Sequence, residues 1–147
     1  METFQHKIYL KKQFDHPVSK VFHAFQDVNI LKQWWGPKHC TIGEAKMEFL
    51  IGGEYRIELI KQANKVSFFV VGQFHEIVKN TLIKYSYHYE GLVNPPFQKS
   101  LVSITFNATN SGTTIVHLIQ EFVEEPRNIS TRIEAWKFMF QRLSGLL

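Results

Sequence analysis

The stretch from Asn128 to Leu147 has the spacing of a long amphipathic helix and constrains the fold more than any other part of the sequence. Its apolar residues recur in steps of four and three, so they share one face of an α-helix: Ile129, Ile133, Trp136, Phe140, Leu143 and Leu147. Met139 and Leu146 widen this face, whereas four polar residues lie off it: Arg132, Lys137, Gln141 and Arg142. A helix this long with so broad an apolar face needs a large surface to pack on.

The start of this helix is predicted from local signals. Pro126 ends the preceding strand, and Asn128, Ser130 or Thr131 can accept an N-cap hydrogen bond. Thr131 and Glu134 have the spacing of a capping box.

Length and composition bound the class of protein. At 147 residues, the chain is expected to form a single domain over 1–147 with a sizeable core. The net charge is +4, but the basic residues are scattered, which argues against nucleic-acid binding. Cys40 is the one cysteine, so an intramolecular disulfide is excluded. Met1 to His6 lacks a signal-peptide core and no apolar run reaches the ~18 residues of a membrane span, so we expect a cytoplasmic protein without membrane insertion.

The first part of the chain predicts one strand and two short helices. Lys7 to Phe14 reads as the strand, and Pro17 opens a helix that Asp15 or Ser19 could cap. Asp27 begins a second helical segment, which ends at the Gly36-Pro37 pair.

From Thr41 onward the apolar period changes to two, which predicts consecutive antiparallel strands. Six runs follow this pattern: 41–49, 54–59, 66–77, 83–89, 101–108 and 114–122. Gly72 is predicted to mark a bulge or bend. The sequence therefore predicts an α+β fold in which a curved antiparallel sheet, rich in aromatic residues on its concave face, wraps around the C-terminal helix.

A sheet curled around one helix often encloses a ligand cavity. Residues from the inward faces are its candidate lining: Trp35, Tyr55, Ile57, Tyr85, Tyr87, Val102, Ile104, Gln120, Trp136 and Phe140. The tyrosine hydroxyls and the Gln120 amide need partners if they are buried. They either bond one another and reach the rim, or they orient a mostly apolar ligand.

No catalytic, cofactor or metal motif accompanies this pattern. His75, His88 and His117 fall on the strand faces opposite the apolar stripes, where solvent exposure is expected. His39 and Cys40 are adjacent, without a third metal ligand nearby. No carboxylate or histidine is placed in the cavity for acid–base chemistry, so no catalytic residue, metal or cofactor is assigned.

Several motifs at the joints between these elements resemble those of a known group. They are 14–17 (FDHP), 21–25 (VFHAF), 34–37 (WWGP), 52–56 (GGEYR), 72–77 (GQFHEI), 112–114 (GTT), Gln120, Phe122, Ala135, Trp136 and Leu143. The chain thereby resembles the START-like, helix-grip (SRPBCC) superfamily, in the branch of the activator of heat-shock-ninety ATPase homologue. One departure is 48–51 (EFLI), where relatives often carry Asp-Xaa-Arg-Pro.

The resemblance implies the helix-grip fold and leaves three functions open. The leading hypothesis is a binder of a small hydrophobic or amphipathic ligand. The alternative is a co-chaperone-like domain that acts on a heat-shock ATPase in the stress response, with Lys11, Lys20 and Lys38 as contacts. A third is a polyketide cyclase- or hydratase-like enzyme. An exposed edge strand is compatible with a monomer or a weak homodimer.

Overall fold

The computed structural model describes residues 3–147, and in them seven strands and three helices. Their bounds are β1 His6–Phe14, α1 Val18–Gln26, α2 Val28–Trp34, β2 Cys40–Met47, β3 Glu54–Lys61, β4 Ser67–Val78, β5 Leu82–Glu90, β6 Ser100–Ala108, β7 Thr114–Phe122 and α3 Ile129–Leu146. No helix within this range is both long and apolar enough to cross a membrane.

The strands form one antiparallel sheet in the order β1-β7-β6-β5-β4-β3-β2. Consecutive hairpins build the run from β2 to β7, and β1 joins it by pairing with β7, from His6 opposite Phe122 to Phe14 opposite Thr114. The two short helices fill the connection after β1, and α3 packs against β1 and α2. The predicted α+β architecture is confirmed.

The two short helices start differently. The Asp27 carboxylate accepts hydrogen bonds from the backbone N–H groups of Asn29 and Ile30, at 2.9 and 3.1 Å, and so caps α2 as predicted. Helix α1 begins directly after Pro17, as predicted, but the predicted side-chain cap is wrong, because no side chain caps this helix. Asp15 and Ser19 therefore play no capping part.

The start of α3 also differs from the prediction. Asn128 precedes the helix with φ of 53°, in the left-handed region that asparagine tolerates, and it makes no capping bond through its side chain. Thr131 already lies inside the helix, so the predicted capping box with Glu134 is wrong. The backbone enters the helix directly from this left-handed residue.

The inner face of α3 is buried in the middle of the helix. Trp136, Met139, Phe140 and Leu143 are at most 3% exposed. At the two ends Ile129 and Leu146 are 37% and 41% exposed, although the apolar spacing placed both on the buried face. The spacing gives the direction of a side chain but not the length over which a helix is covered.

The core between α3 and the sheet is filled by aromatic rings. The Phe140 ring centroid lies 5.9 to 6.4 Å from those of Phe14, Phe25, Trp34 and Trp136. Beneath them, the inward side chains of β6 and β7 are all buried, as their period of two predicts: Val102, Ile104, Phe106, Thr114, Val116, Leu118, Gln120 and Phe122. This part of the helix–sheet interface is therefore packed solid.

Gly72 is required by a close approach and does not mark a bulge. It pairs in register with Tyr55, and the irregularity in β4 lies further on, between Phe74 and Glu76. A Cβ at this position would come 1.9 Å from the Ser86 carbonyl oxygen and 2.7 Å from the Tyr55 ring. The missing side chain lets the Tyr55 hydroxyl donate to that same carbonyl at 2.6 Å.

Candidate functional site

Two spaces open on the inner side of the sheet, and the smaller one, here called the inner pocket, is nearly filled. It lies beneath α1 and α2 and is lined by Phe25, Leu31, Trp34, Trp35, Met47, Phe49, Tyr55, Ile57, Phe74, Ile83 and Tyr85. Its volume is about 40 Å³. A water molecule occupies roughly 30 Å³ of liquid, and small-molecule sites measure roughly 300–1,000 Å³, so the inner pocket is too small for a ligand.

Ring packing explains why the inner pocket is so small. The Phe74 ring centroid lies 5.2 Å from that of Phe49, 5.7 Å from that of Tyr55 and 5.9 Å from that of Tyr85. The rings are tilted or edge-on to one another, the arrangement that aromatic pairs favour. The aromatic side chains of the concave face therefore fill this end of the hollow themselves.

The larger space is a cleft of about 320 Å³, here called the α3 cleft. It runs between β3–β5, the 91–99 loop and the first half of α3. Its lining is Pro37, Leu59, Lys61, Phe68, Tyr87, Tyr89, Leu92, Pro96, Arg127, Asn128, Thr131, Arg132, Ala135 and Met139. This volume lies at the lower end of the range of small-molecule sites, so the α3 cleft is large enough to hold a small ligand.

A pair of aromatic rings connects the linings of the two spaces. Trp35 lines the inner pocket and Tyr87 lines the α3 cleft. Their ring centroids lie 6.2 Å apart, and each side chain is less than 10% exposed. The linings of the filled space and the open one therefore come close to each other at this ring pair.

The predicted site residues are distributed over both spaces and the core. Trp35, Tyr55, Ile57 and Tyr85 line the inner pocket, and Tyr87 lines the α3 cleft. The other five line neither space and lie in the packed core: Val102, Ile104, Gln120, Trp136 and Phe140. A ligand-binding role for these ten residues stays a prediction.

The buried polar groups of the core satisfy one another. Trp136 Nε1 donates to Gln120 Oε1 at 2.9 Å, and Gln120 Nε2 donates to Ser100 Oγ at 2.9 Å. Ser100 Oγ donates in turn to the Tyr87 carbonyl oxygen at 2.7 Å. Of the two alternatives for Gln120, the structure thus shows the internal bonds. This chain of hydrogen bonds joins α3 to the centre of the sheet.

Cations give the α3 cleft its electrostatic character. Lys61, Arg127 and Arg132 line it, and none of its lining residues, all within 3–147, is acidic. Arg132 Nη1 donates to the Tyr89 hydroxyl at 3.1 Å, and Arg132 Nε is buried without a hydrogen-bond partner. Sequence reasoning missed these cations because they come from three separate segments. The one usable signal was Arg132, which stands one helical turn before Trp136 at the edge of the apolar face.

The tyrosines of the two spaces stay protonated at neutral pH. Burial raises the pKa of Tyr55, Tyr85 and Tyr87. Burial also raises the pKa of Tyr89, and the nearby Arg132 guanidinium acts in the opposite direction. Their neutral hydroxyls can therefore donate hydrogen bonds. In the described residues, neither space is lined by a histidine or a carboxylate.

Histidines and other metal-ligand types lie elsewhere. His75 and His88 are exposed, as their strand faces predict. His117 is half-exposed, and its Nδ1 lies 2.6 Å from the Tyr9 hydroxyl. Within 3–147, no three His, Cys, Asp or Glu side chains come together to hold a metal ion.

The architecture and the cleft beneath the last helix together define a helix-grip domain. The sheet, the helix pair after β1 and the covering helix α3 all have their expected places. Within this class, residues 15–147 match the family described as "Activator of Hsp90 ATPase homolog 1-like protein", and the chain belongs to that family. The resemblance seen in the sequence motifs is confirmed.

Solved structures share the fold over nearly their whole length. A crystal structure from Chromobacterium violaceum has 20% identity and a TM-score of 0.85, covering 97% of this chain and 98% of that one. One from Rhizobium loti has 21% identity and a TM-score of 0.80, covering 97% and 96%. One from Nitrosomonas europaea has 21% identity and a TM-score of 0.79, covering 96% and 93%. No protein of curated function matches the sequence.

Proposed function

We propose that this protein binds a small amphipathic molecule in the α3 cleft. The observation that carries the proposal is the combination of a volume of about 320 Å³ with an apolar floor and a polar rim. Leu59, Phe68 and Met139 contribute the floor, and Tyr89 and Arg132 contribute hydrogen-bonding groups. Small-molecule sites are typically apolar with a few convergent polar groups that orient the ligand.

The volume limits the size of the molecule. At roughly 30 Å³ for each water-sized group, the cleft encloses on the order of ten non-hydrogen atoms. A single ring with a short side chain, or a short hydrocarbon chain with one polar end, has this size. The proposal assigns no reaction, because general acid–base catalysis needs a group that titrates near the working pH and the described lining contains hydroxyls and cations.

Two measurements test the binding proposal. Native mass spectrometry of freshly purified protein, followed by organic extraction, identifies any molecule that is carried through purification. An NMR shift titration with cinnamamide, which is uncharged and of suitable size, tests binding directly. We expect saturable shifts confined to the cleft lining, namely β3–β5, the 91–99 loop and the first half of α3.

A blocking variant makes the titration specific. Ala135 is half-buried and lines the cleft, so Ala135→Trp should fill the space and abolish the shifts. Gln141→Trp adds the same side chain at an exposed position of α3 outside the cleft and should leave binding unchanged. Equal binding by wild type and Ala135→Trp would contradict the proposal.

Family membership favours a second proposal, action on a partner protein. The family description names an activator of the Hsp90 ATPase, and Lys11, Lys20 and Lys38 are exposed. If this chain acts in the same way, it should change the rate of ATP hydrolysis by an Hsp90-type chaperone, and replacing the three lysines with glutamate should reduce the effect. An unchanged ATPase rate over a range of concentrations would contradict this second proposal.

A further inference from the structure

The three cations of the α3 cleft are free of carboxylate partners. Elsewhere on the surface Arg56 pairs with Glu90 at 2.8 Å and Lys137 with Glu134 at 3.6 Å. Within residues 3–147, no ion pair of this kind involves Lys61, Arg127 or Arg132. Unbalanced charges of one sign in a concave site concentrate ions of the opposite sign there. The charge of the cleft thus favours an anion.

Each cation is held at the cleft by a different contact. Lys61 stands at the end of β3, with Nζ 5.8 Å from the centre of the Phe68 ring on the cleft floor. Arg127 precedes α3, and its guanidinium donates to the Asn94 carbonyl oxygen. The backbone N–H of Arg127 donates to the Pro96 carbonyl oxygen at 2.9 Å. These contacts hold both residues at the lining of the cleft.

Arg132 is the cation with an unused hydrogen-bonding edge. Its Nη1 is taken by the Tyr89 hydroxyl, while its Nε has no partner and no contact with solvent. A buried donor without an acceptor is unfavourable, and more so when it belongs to a charged group. The planar guanidinium presents parallel N–H groups that match the two oxygens of a carboxylate. A small turn of the group toward the cleft would bring Nε to such an acceptor.

From these contacts we infer that the ligand of the α3 cleft is a small carboxylate, whose oxygens accept from Arg132 while its ring or hydrocarbon chain lies on Leu59, Phe68 and Met139. Lys61 and Arg127 add long-range attraction for the anion. The Tyr89 hydroxyl accepts a hydrogen bond from Arg132 and so helps to hold the guanidinium at the cleft. This inference rests on the proposed function and narrows it to one chemical class.

A pair of probes that differ only in charge tests the inference. Cinnamate and cinnamamide have the same size and shape, and calorimetric titration gives the affinity of each for the wild-type protein. We expect cinnamate to bind at least about tenfold more tightly, the advantage typical of a hydrogen bond to a charged group. The advantage should fall as salt is added, since salt screens charge attraction.

Single-residue variants identify which side chains cause the preference for cinnamate over cinnamamide. Arg132→Met keeps the apolar stem and removes the charge, so most of the preference for cinnamate over cinnamamide should be lost, and the remainder should reflect Lys61 and Arg127. Lys61→Met should reduce the preference in part, and it serves as a second variant if Arg132→Met folds poorly. Arg56→Met is the matched control, because Arg56 is an exposed arginine outside the cleft and should keep the full preference.

The outcomes separate the inference from the proposed function. Equal binding of both probes by the wild type would overturn the carboxylate assignment and leave small-molecule binding standing. A stronger preference for phenyl phosphate than for cinnamate would overturn it in favour of a phosphate ester. Binding of neither cinnamate nor cinnamamide would overturn the proposed function and the inference together.

Discussion

Replacing Gln120 with leucine is expected to destabilise the protein through one atom, the indole nitrogen of Trp136. Gln120 is 2% exposed and Trp136 is 3% exposed, so water cannot replace the lost acceptor. A buried donor left without a partner costs about 1–3 kcal/mol. Ser100 Oγ keeps its 2.7 Å bond to the Tyr87 carbonyl oxygen and adds little to this loss. Leucine is close to glutamine in size, which limits the change in packing.

A double-mutant cycle isolates this hydrogen bond. Trp136→Phe removes the indole N–H, so Gln120→Leu should be much less harmful in that background. We expect a coupling energy of about 1–2 kcal/mol, within the range for residues in direct contact. Urea unfolding followed by circular dichroism gives the free energies. For a chain of this size, each kcal/mol corresponds to a Tm change of about 2–4 °C.

Exposed Gln141 provides the control, since Gln141→Leu lies outside the network and should change stability by less than about 0.5 kcal/mol. Additivity of Gln120→Leu and Trp136→Phe within about 0.5 kcal/mol would refute the reasoning. It would mean that the bond between the two side chains contributes nothing beyond their packing.

Three further predictions concern stability. Gly72→Ala should cost about 1–3 kcal/mol in urea unfolding, because its Cβ would meet backbone, whereas Gly145→Ala in α3 meets nothing within 4 Å and should be neutral or stabilising; equal effects would contradict the close approach. Asp27→Ala should lower the free energy of unfolding by about 1 kcal/mol, because two cap hydrogen bonds are lost. The control is Asp15→Ala, which should leave the free energy of unfolding unchanged because exposed Asp15 caps no helix. Burial raises the pKa of the tyrosines of β3 and β5 in the folded protein. Above about pH 10 the unfolded chain loses these protons while the folded protein keeps them. The free energy of unfolding should therefore be constant with respect to these groups below that pH and should fall above it, by up to about 1.4 kcal/mol per pH unit for each tyrosine. Unfolding at stepped pH with phenolate absorbance checks this, and a flat profile would contradict it.

The fold was predictable because its signals are local and periodic. The alternation of apolar and polar residues along β6 and β7 correctly predicted which side chains face inward, from Val102 to Phe122. Asp27 correctly indicated where α2 begins. Such signals depend on the direction of successive side chains, which secondary structure alone determines. The left-handed Asn128 had no comparable signal, because several neighbouring residues could have capped α3 equally well.

The candidate site was harder to predict because it depends on volumes and on distant segments. The pattern placed Trp136 and Phe140 on an inward face, but it could not show that neighbouring rings fill the space around them. The positions of half-exposed cations follow no periodic pattern in the sequence. The proximity of Lys61 and Arg132 is therefore visible only in the three-dimensional structure. Binary patterning gives the side on which a residue lies, whereas close packing decides whether a space is left there.

The ring pair of Trp35 and Tyr87 makes the size of the enclosed space a property that single substitutions can alter. A small residue at either position would remove one ring from the place where the two linings meet and would leave additional space there. If the α3 cleft binds a carboxylate as proposed, a descendant of this sequence could accommodate a longer ligand through a change at one codon while Arg132 is retained.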